Sequence, residues 1–304
     1  MNIVVGVDGT GKSLTAVRFV GRLLDPSSDR VGIYFAPPRR TWTSFLQFEA
    51  EPNKTPLEAF TDQTVGQAID ALPRGISAEP INITGASSPS AGIQQAADAQ
   101  DADLVVVGAG RSSQRLQFFV GGVARDILHR CPRSVLACRE NARLEGPLRV
   151  LVAIDPDEAT EGISQLINQL AWPAGTTARV LHVMDYVEDE RLRNWLIETE
   201  SEVVGDWAEA YEAQQGGERV RAMELLVAFQ QRLMPTLQTR EPVIEIGHVV
   251  ETIVARVQSE NIDLVIVGGR CRGRFSRLLG STTEGLLLQS PASLLVVHAR
   301  DEEA

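Results

Sequence analysis

Long apolar runs, paired cysteines and surplus positive charge are all missing from this 304-residue chain. No stretch reaches the roughly 18–20 consecutive apolar residues of a membrane helix, so no membrane partner is expected. Residues 1–13, MNIVVGVDGTGKS, enter an apolar run at once, with neither a basic region nor a small-residue cleavage site, and secretion is not expected either. The three cysteines, Cys131, Cys138 and Cys271, form no C-x-x-C and no metal-ligand spacing with the four histidines. So few thiols, odd in number, suit a reducing cytoplasm, which is the expected location. Each reads as a small buried apolar residue. With 29 basic against 40 acidic residues the net charge is −11, which repels nucleic acid and removes it as an expected partner.

What remains is a globular composition, 43% hydrophobic and 23% charged, with length for two domains of about 150 residues. The chain also repeats itself. Ile3-Val4-Val5-Gly6-Val7-Asp8 and Val150-Leu151-Val152-Ala153-Ile154-Asp155 are matching apolar runs that end in aspartate, each followed by a helical pattern and a second apolar run. Asp103-Leu104-Val105-Val106-Val107-Gly108 matches Asp263-Leu264-Val265-Ile266-Val267-Gly268. A glycine-rich loop, an apolar helix, a proline and a last strand follow in both. Residues 1–143 and 147–304 are therefore two similar domains joined around residues 142–147. Matching residues lie farther apart at the loops than at the aspartates, which places an insertion in the second half.

Strands that are apolar throughout, rather than alternating, are buried on both faces, as in a parallel sheet covered by helices. Five strands are expected per half: 2–7, 31–36, 80–84, 103–107 and 134–138, then 149–154, 179–184, 242–246, 262–267 and 292–298. The fold class is α/β, doubly wound, twice over, in twin lobes rather than one undivided sheet. Ligands of such sheets sit beyond the carboxyl ends of the strands, where strand order reverses. That groups Asp8 with Gly108 and Gly110, and Asp155 with Gly268 and Gly269, provided the first and fourth strands are neighbours. The insertion, residues 186–234, is acidic and helical, with an apolar stripe at Leu192, Trp195, Leu196, Val203, Trp207 and Tyr211. It covers the sheet or serves as a partner-binding arm, and Gly216-Gly217 is expected to divide it into two helices. Residues 39–54, with Trp42, Phe45 and Phe48, read as an anchored loop or part of a lid.

Two phosphate cradles compete. Gly6-Val7-Asp8-Gly9-Thr10-Gly11-Lys12-Ser13 satisfies G-x-x-x-x-G-K-[ST] between a strand and a helix, the motif of a P-loop NTPase. Against it, strands two and four end in Ala36-Pro37 and Gly108 instead of a metal-holding aspartate, and the second half repeats the aspartate without the lysine. The other cradle is the late loop, from Gly108 to Gly121-Gly122 and from Gly268 to Gly280-Ser281, each ending where an apolar helix begins and free N–H groups favour an anion. Arg270, Arg272, Arg274 and Arg277 crowd the second of these loops, as a polyphosphate site would use them or as solvated surface arginines.

These residues carry a resemblance to the universal stress protein family, in its tandem-domain form, over nearly the whole chain. The resemblance implies strand order 3-2-1-4-5, pairing of the two domains through their last strands as an intramolecular pseudo-dimer, and an ATP- or AMP-type site, often with Mg²⁺. By match the binding residues are Asp8, Thr10, Gly108, Gly110, Gly121 and Gly122 in the first half. In the second they are Asp155, Gly268, Gly269, Arg270, Arg272, Gly280 and Ser281. The departures are specific: Arg111 and Cys271 stand at the second loop glycine, Gly122 replaces the hydroxyl residue, the second loop is one residue short, and Asp157 and Glu158 add negative charge. The second half keeps the hydroxyl and the arginines, which favours it as the site.

No Ser/His/Asp order, histidine pair or paired carboxylates argue for catalysis. His129, His182 and His298 read as packing residues, with His248 a remote exception. The expected function is a stress-response nucleotide-binding regulatory module with at most slow ATP hydrolysis, partnered by nucleotide and by a second tandem chain or another protein. A P-loop NTPase and a scaffold with two degenerate pockets are the alternatives.

Overall fold

The structure is a computed structural model, and it describes residues 1–37, 54–110, 122–155, 160–185, 203–269 and 280–298. The first half runs β1 (Asn2–Val7), α1 (Gly11–Gly21), β2 (Arg30–Phe35), α2 (Pro56–Asp70), β3 (Ser77–Ile81), α3 (Pro89–Ala99), β4 (Leu104–Gly108), α4 (Gly122–Arg130) and β5 (Ser134–Cys138). The second runs β6 (Arg149–Ala153), α5 (Glu161–Gln169), β7 (Thr177–Asp185), α6 (Val203–Gln231), β8 (Gln238–Thr239), β9 (Val243–Gly247), α7 (Val249–Glu260), β10 (Leu264–Gly268), α8 (Ser281–Gln289) and β11 (Ser293–Val297).

Strand order is β3-β2-β1-β4-β5 in the first half and β9-β7-β6-β10-β11 in the second, the expected 3-2-1-4-5 twice. All pairs within a half are parallel, and β8 adds a two-residue pairing at the start of β7. The lobes do not keep separate sheets. β5 and β11 pair antiparallel, Val135 with Val296, Leu136 with Leu295 and Ala137 with Leu294, giving one 11-stranded sheet. Two otherwise bare edges are thereby satisfied. Leu136 and Leu295 are equivalent residues of the two halves and face each other, so a pseudo-twofold passes between them.

One face of the sheet packs on α1, α2, α5 and α6, the other on α3, α4, α7 and α8. Both cores run through the join. Around it the hydrogen bonds are mirrored, Arg139 N–H to Ser293 Oγ at 3.1 Å and His298 N–H to Ser134 Oγ at 3.2 Å. The buried Arg139 guanidinium donates to the carbonyls of Ala292, Ala109 and Leu287.

Two elements differ from expectation. β3 lies at 77–81 rather than 80–84, because an edge strand needs only one hydrogen-bonding side and accepts Ser77, Glu79 and Pro80. Residues 203–231 form one helix straight through Gly216-Gly217. Each glycine costs about 1 kcal/mol relative to alanine, less than the burial of Ala222, Leu226 and Phe229 on the same helix supplies. The stripe positions Leu192, Trp195 and Leu196 lie outside the described residues.

A Cβ at Gly217 would meet nothing within 4 Å. Gly217→Ala is expected to raise stability by about 0.5–1 kcal/mol in urea denaturation. Beside the join, burial pushes the Cys138 thiol up to about 12, against smaller opposing effects of the Ser293 hydroxyl and Arg139. An unfolded thiol ionises near pH ~8.5, so above that value the unfolded state loses the proton first. Cys138 should therefore erode stability as pH rises from about 9 toward 12, and Cys138→Ala should flatten that decline in unfolding curves measured across the range.

Candidate functional site

β1 and β4 are parallel neighbours, with Gly6 opposite Val107, as are β6 and β10, with Ala153 opposite Val267. Each aspartate therefore stands on the same rim as its glycine, at the point where strand order reverses.

In the second half this rim encloses a cavity of about 140 Å³. Ala153, Ile154 and Asp155 leaving β6 form one wall and Val267 and Gly268 ending β10 another. Leu181, His182 and Val183 of β7 and Val249 and Ile253 of α7 close two sides, and Gly280, Ser281, Thr282 and Thr283 close the last at the amino end of α8. The lining is mixed: apolar side chains of β6, β7, β10 and α7 stand beside Asp155, His182 and the hydroxyl residues Ser281, Thr282 and Thr283 that open α8, where the first N–H groups of a helix have no partner within it. Whole-ligand sites run to about 300–1,000 Å³, so this slot suits one flat ring system, with charged parts of a ligand lying outward across α8.

The first half offers no matching cavity among the described residues. Asp8 Oδ1 accepts from Thr10 N–H at 3.0 Å and from its hydroxyl at 2.6 Å, closing a tight turn. Gly9, at φ 80°, sits at the corner under the Phe60 ring. Ser13 Oγ donates to Thr10 O at 2.9 Å and accepts from Asp8 N–H at 3.3 Å. Gly6 and Val7 belong to β1, and Gly11 already belongs to α1. Only three residues connect them, too few to wrap a phosphate, and the hydroxyl a metal would need is occupied. Lys12 lies along Gly110 and reaches Glu140, Nζ to Oε2 3.8 Å. Thr10, Gly108 and Gly110 thus pack within the first half's own loops.

Among the described residues, bulkier side chains stand at the matching place. Registers place Tyr34 opposite Gly6 where Leu181 stands opposite Ala153. The Tyr34 side chain is 5% exposed and its hydroxyl lies so close to Gly92 of α3 that a Cβ there would collide. Burial raises the Tyr34 pKa. Ile93 Cδ1 also lies over Gly6, 2.7 Å from where a Cβ would stand.

Of the expected site residues, Asp155, Gly268, Gly280 and Ser281 meet in the cavity. Gly269 does not, since its N–H donates to Val297 O at 2.7 Å and His298 covers its face. Gly122 opens α4. Gly121, Arg270, Arg272, Arg111, Cys271, Arg274, Arg277, Asp157, Glu158 and the 39–53 loop lie outside the described residues. His182, expected to be a packing residue, lines the cavity, with Nδ1 held by Ile154 O at 3.1 Å. His129 is half-buried on α4, 4.0 Å from Glu284. His248 caps α7 without a side-chain hydrogen bond to it. Leu181 and Val183 of β7 and Val249 and Ile253 of α7 were hidden because apolar residues on a buried strand or on the inner face of a helix look like core.

The Universal stress protein family model matches the chain twice, over residues 1–139 and 148–298. A universal stress protein from Archaeoglobus fulgidus DSM 4304 superimposes with TM-score 0.59 at 17% identity, covering 97% of each chain. A Pseudomonas aeruginosa UCBPP-PA14 protein ascribed to the same family gives 0.60 at 16%, covering 97% of this chain and 92% of that one. These likenesses show the shared two-domain fold. No curated protein matches the sequence.

The Tyr34–Gly92 contact is open to a stability test. Gly92→Ala should cost about 1–3 kcal/mol by overpacking against Tyr34, and adding Tyr34→Leu should recover most of it in chemical denaturation.

Proposed function

The chain belongs to the universal stress protein family in both halves, and on that premise we propose that its second half binds an adenine nucleotide, ATP or AMP, as a regulatory module of the stress response. The observation that carries this reading is the cavity at the β6–β10 switch point, with a carboxylate on one rim and the amino end of α8 on the other.

The residues fit such a ligand. Leu181, Val183, Val249, Ile253 and Val267 make an apolar slot for a planar base. Asp155 is placed to accept from ribose hydroxyls, and the Ser281 and Thr282 hydroxyls with the first N–H groups of α8 would take phosphate oxygens. No cluster of three metal-binding side chains occurs among the described residues, so Mg²⁺ would be held chiefly by the phosphates, whose charge it neutralises. Binding then acts by differential affinity for two arrangements of the chain, read by a second tandem chain or a protein partner. No described helix is long and apolar enough to cross a membrane, and the small cysteine complement fits a cytoplasmic location. The P-loop alternative is disfavoured by the closed Asp8–Ser13 turn, and the scaffold alternative by the open second slot.

Isothermal titration with ATP, ADP and AMP, with and without Mg²⁺, should give one nucleotide per chain. Asp155→Ala should weaken binding roughly tenfold or more, while Lys12→Ala leaves it unchanged. Absence of binding for all three nucleotides would leave the scaffold standing, and loss of binding in Lys12→Ala would restore the P-loop.

A further inference from the structure

We propose that Arg125, a residue of the first half, completes the anion site of the second half by compensating a carboxylate on α8. The inference rests on the nucleotide site proposed above and concerns what lies behind it. Ser281, Thr282 and Thr283 line the cavity, and the next residue, Glu284, is in the same first turn, its N–H donating to Gly280 O at 3.0 Å. An acidic side chain there is favoured by the positive end of the helix dipole, but it draws on the same potential that a bound phosphate would use. Left alone, it repels the ligand.

It is not left alone. Arg125 of α4 forms an ion pair with Glu284 Oε1, and His129 Nε2, also on α4, lies 4.0 Å from the same oxygen. Both partners come from the other half of the chain, brought there by the β5–β11 pairing. Arg125 and Glu284 are also equivalent residues, each three positions beyond the first residue of its helix, Gly122 or Ser281. A copy of either half set against itself would place two arginines or two glutamates at this contact. The compensation works only between unlike halves, so a phosphate site with Glu284 in its helix depends on the tandem arrangement.

The side chains are 54% and 29% exposed, so the effect is modest and salt-sensitive. The experiment titrates ATP and adenosine into the full chain at low and high salt, for the wild type, Arg125→Ala, Glu284→Gln and the double variant. Arg125→Ala should weaken ATP roughly two- to fivefold, leave adenosine unchanged, and lose its effect at high salt. Adding Glu284→Gln should restore ATP affinity. Unchanged ATP affinity in Arg125→Ala, parallel loss of ATP and adenosine, or no rescue by Glu284→Gln would overturn the proposal while leaving the nucleotide site intact. A wild type that binds neither ligand would overturn the nucleotide site, and this inference with it.

Discussion

Three backbone-paired positions, Val135–Val296, Leu136–Leu295 and Ala137–Leu294, decide the form of the whole molecule. Two parallel five-stranded sheets would each end on a bare last strand, a row of unpaired N–H and C=O groups between apolar side chains. Pairing those edges makes each half the covering of the other and lets both cores run through the join. The edges that remain are managed. β3 carries Glu79 and Pro80, and the far edge is broken between Thr239 and Val243 and bears Glu245, which pairs with Arg256. The antiparallel join also fixes which helices meet, and so which charges do.

The same topology holds two different crevices, and the difference is local. Where the second half has Ala153 and Leu181, the first has Gly6 and Tyr34. The glycine admits Ile93, and the phenol extends onto Gly92. Among the described residues, Tyr34 and Ile93 above β1 thus stand at the place that matches the slot above β6. On the outer rim Lys12 lies across Gly110 toward Glu140, over the backbone that a phosphate would have to approach. Asp8, Thr10 and Ser13 of the first half hydrogen-bond within their own turn.

Much of this was legible in residues. Apolar strands ending in Asp8 and Asp155, matched by strands ending in Gly108 and Gly268, gave the repeat, the parallel sheet and the shared rim, because double-sided burial leaves no alternation. What escaped notice has equally physical causes. Tyr34 in an apolar strand looks like ordinary core until its register with Gly6 is known. The P-loop spacing counts residues but not whether Gly6 and Val7 are already in a strand. Gly216-Gly217 reads as a break only when the packing of Leu226 and Phe229 on the same helix is unseen. Arg139 stands beside Glu140 and looks like a surface residue in sequence, because its carbonyl partners Ala109, Leu287 and Ala292 are all distant along the chain.

Those partners give the two halves a division of labour. α8 presents its amino end to the open crevice, and its last carbonyls belong to the join, where the buried Arg139 guanidinium takes Leu287 O. Its first turn is tied to α4 through Glu284 and Arg125. Both ends of α8 are therefore tied to the first half. A close-packed interior does not deform continuously, and α8 is packed against α7 and β11 of its own half as well as tied to α4 and Arg139 of the other.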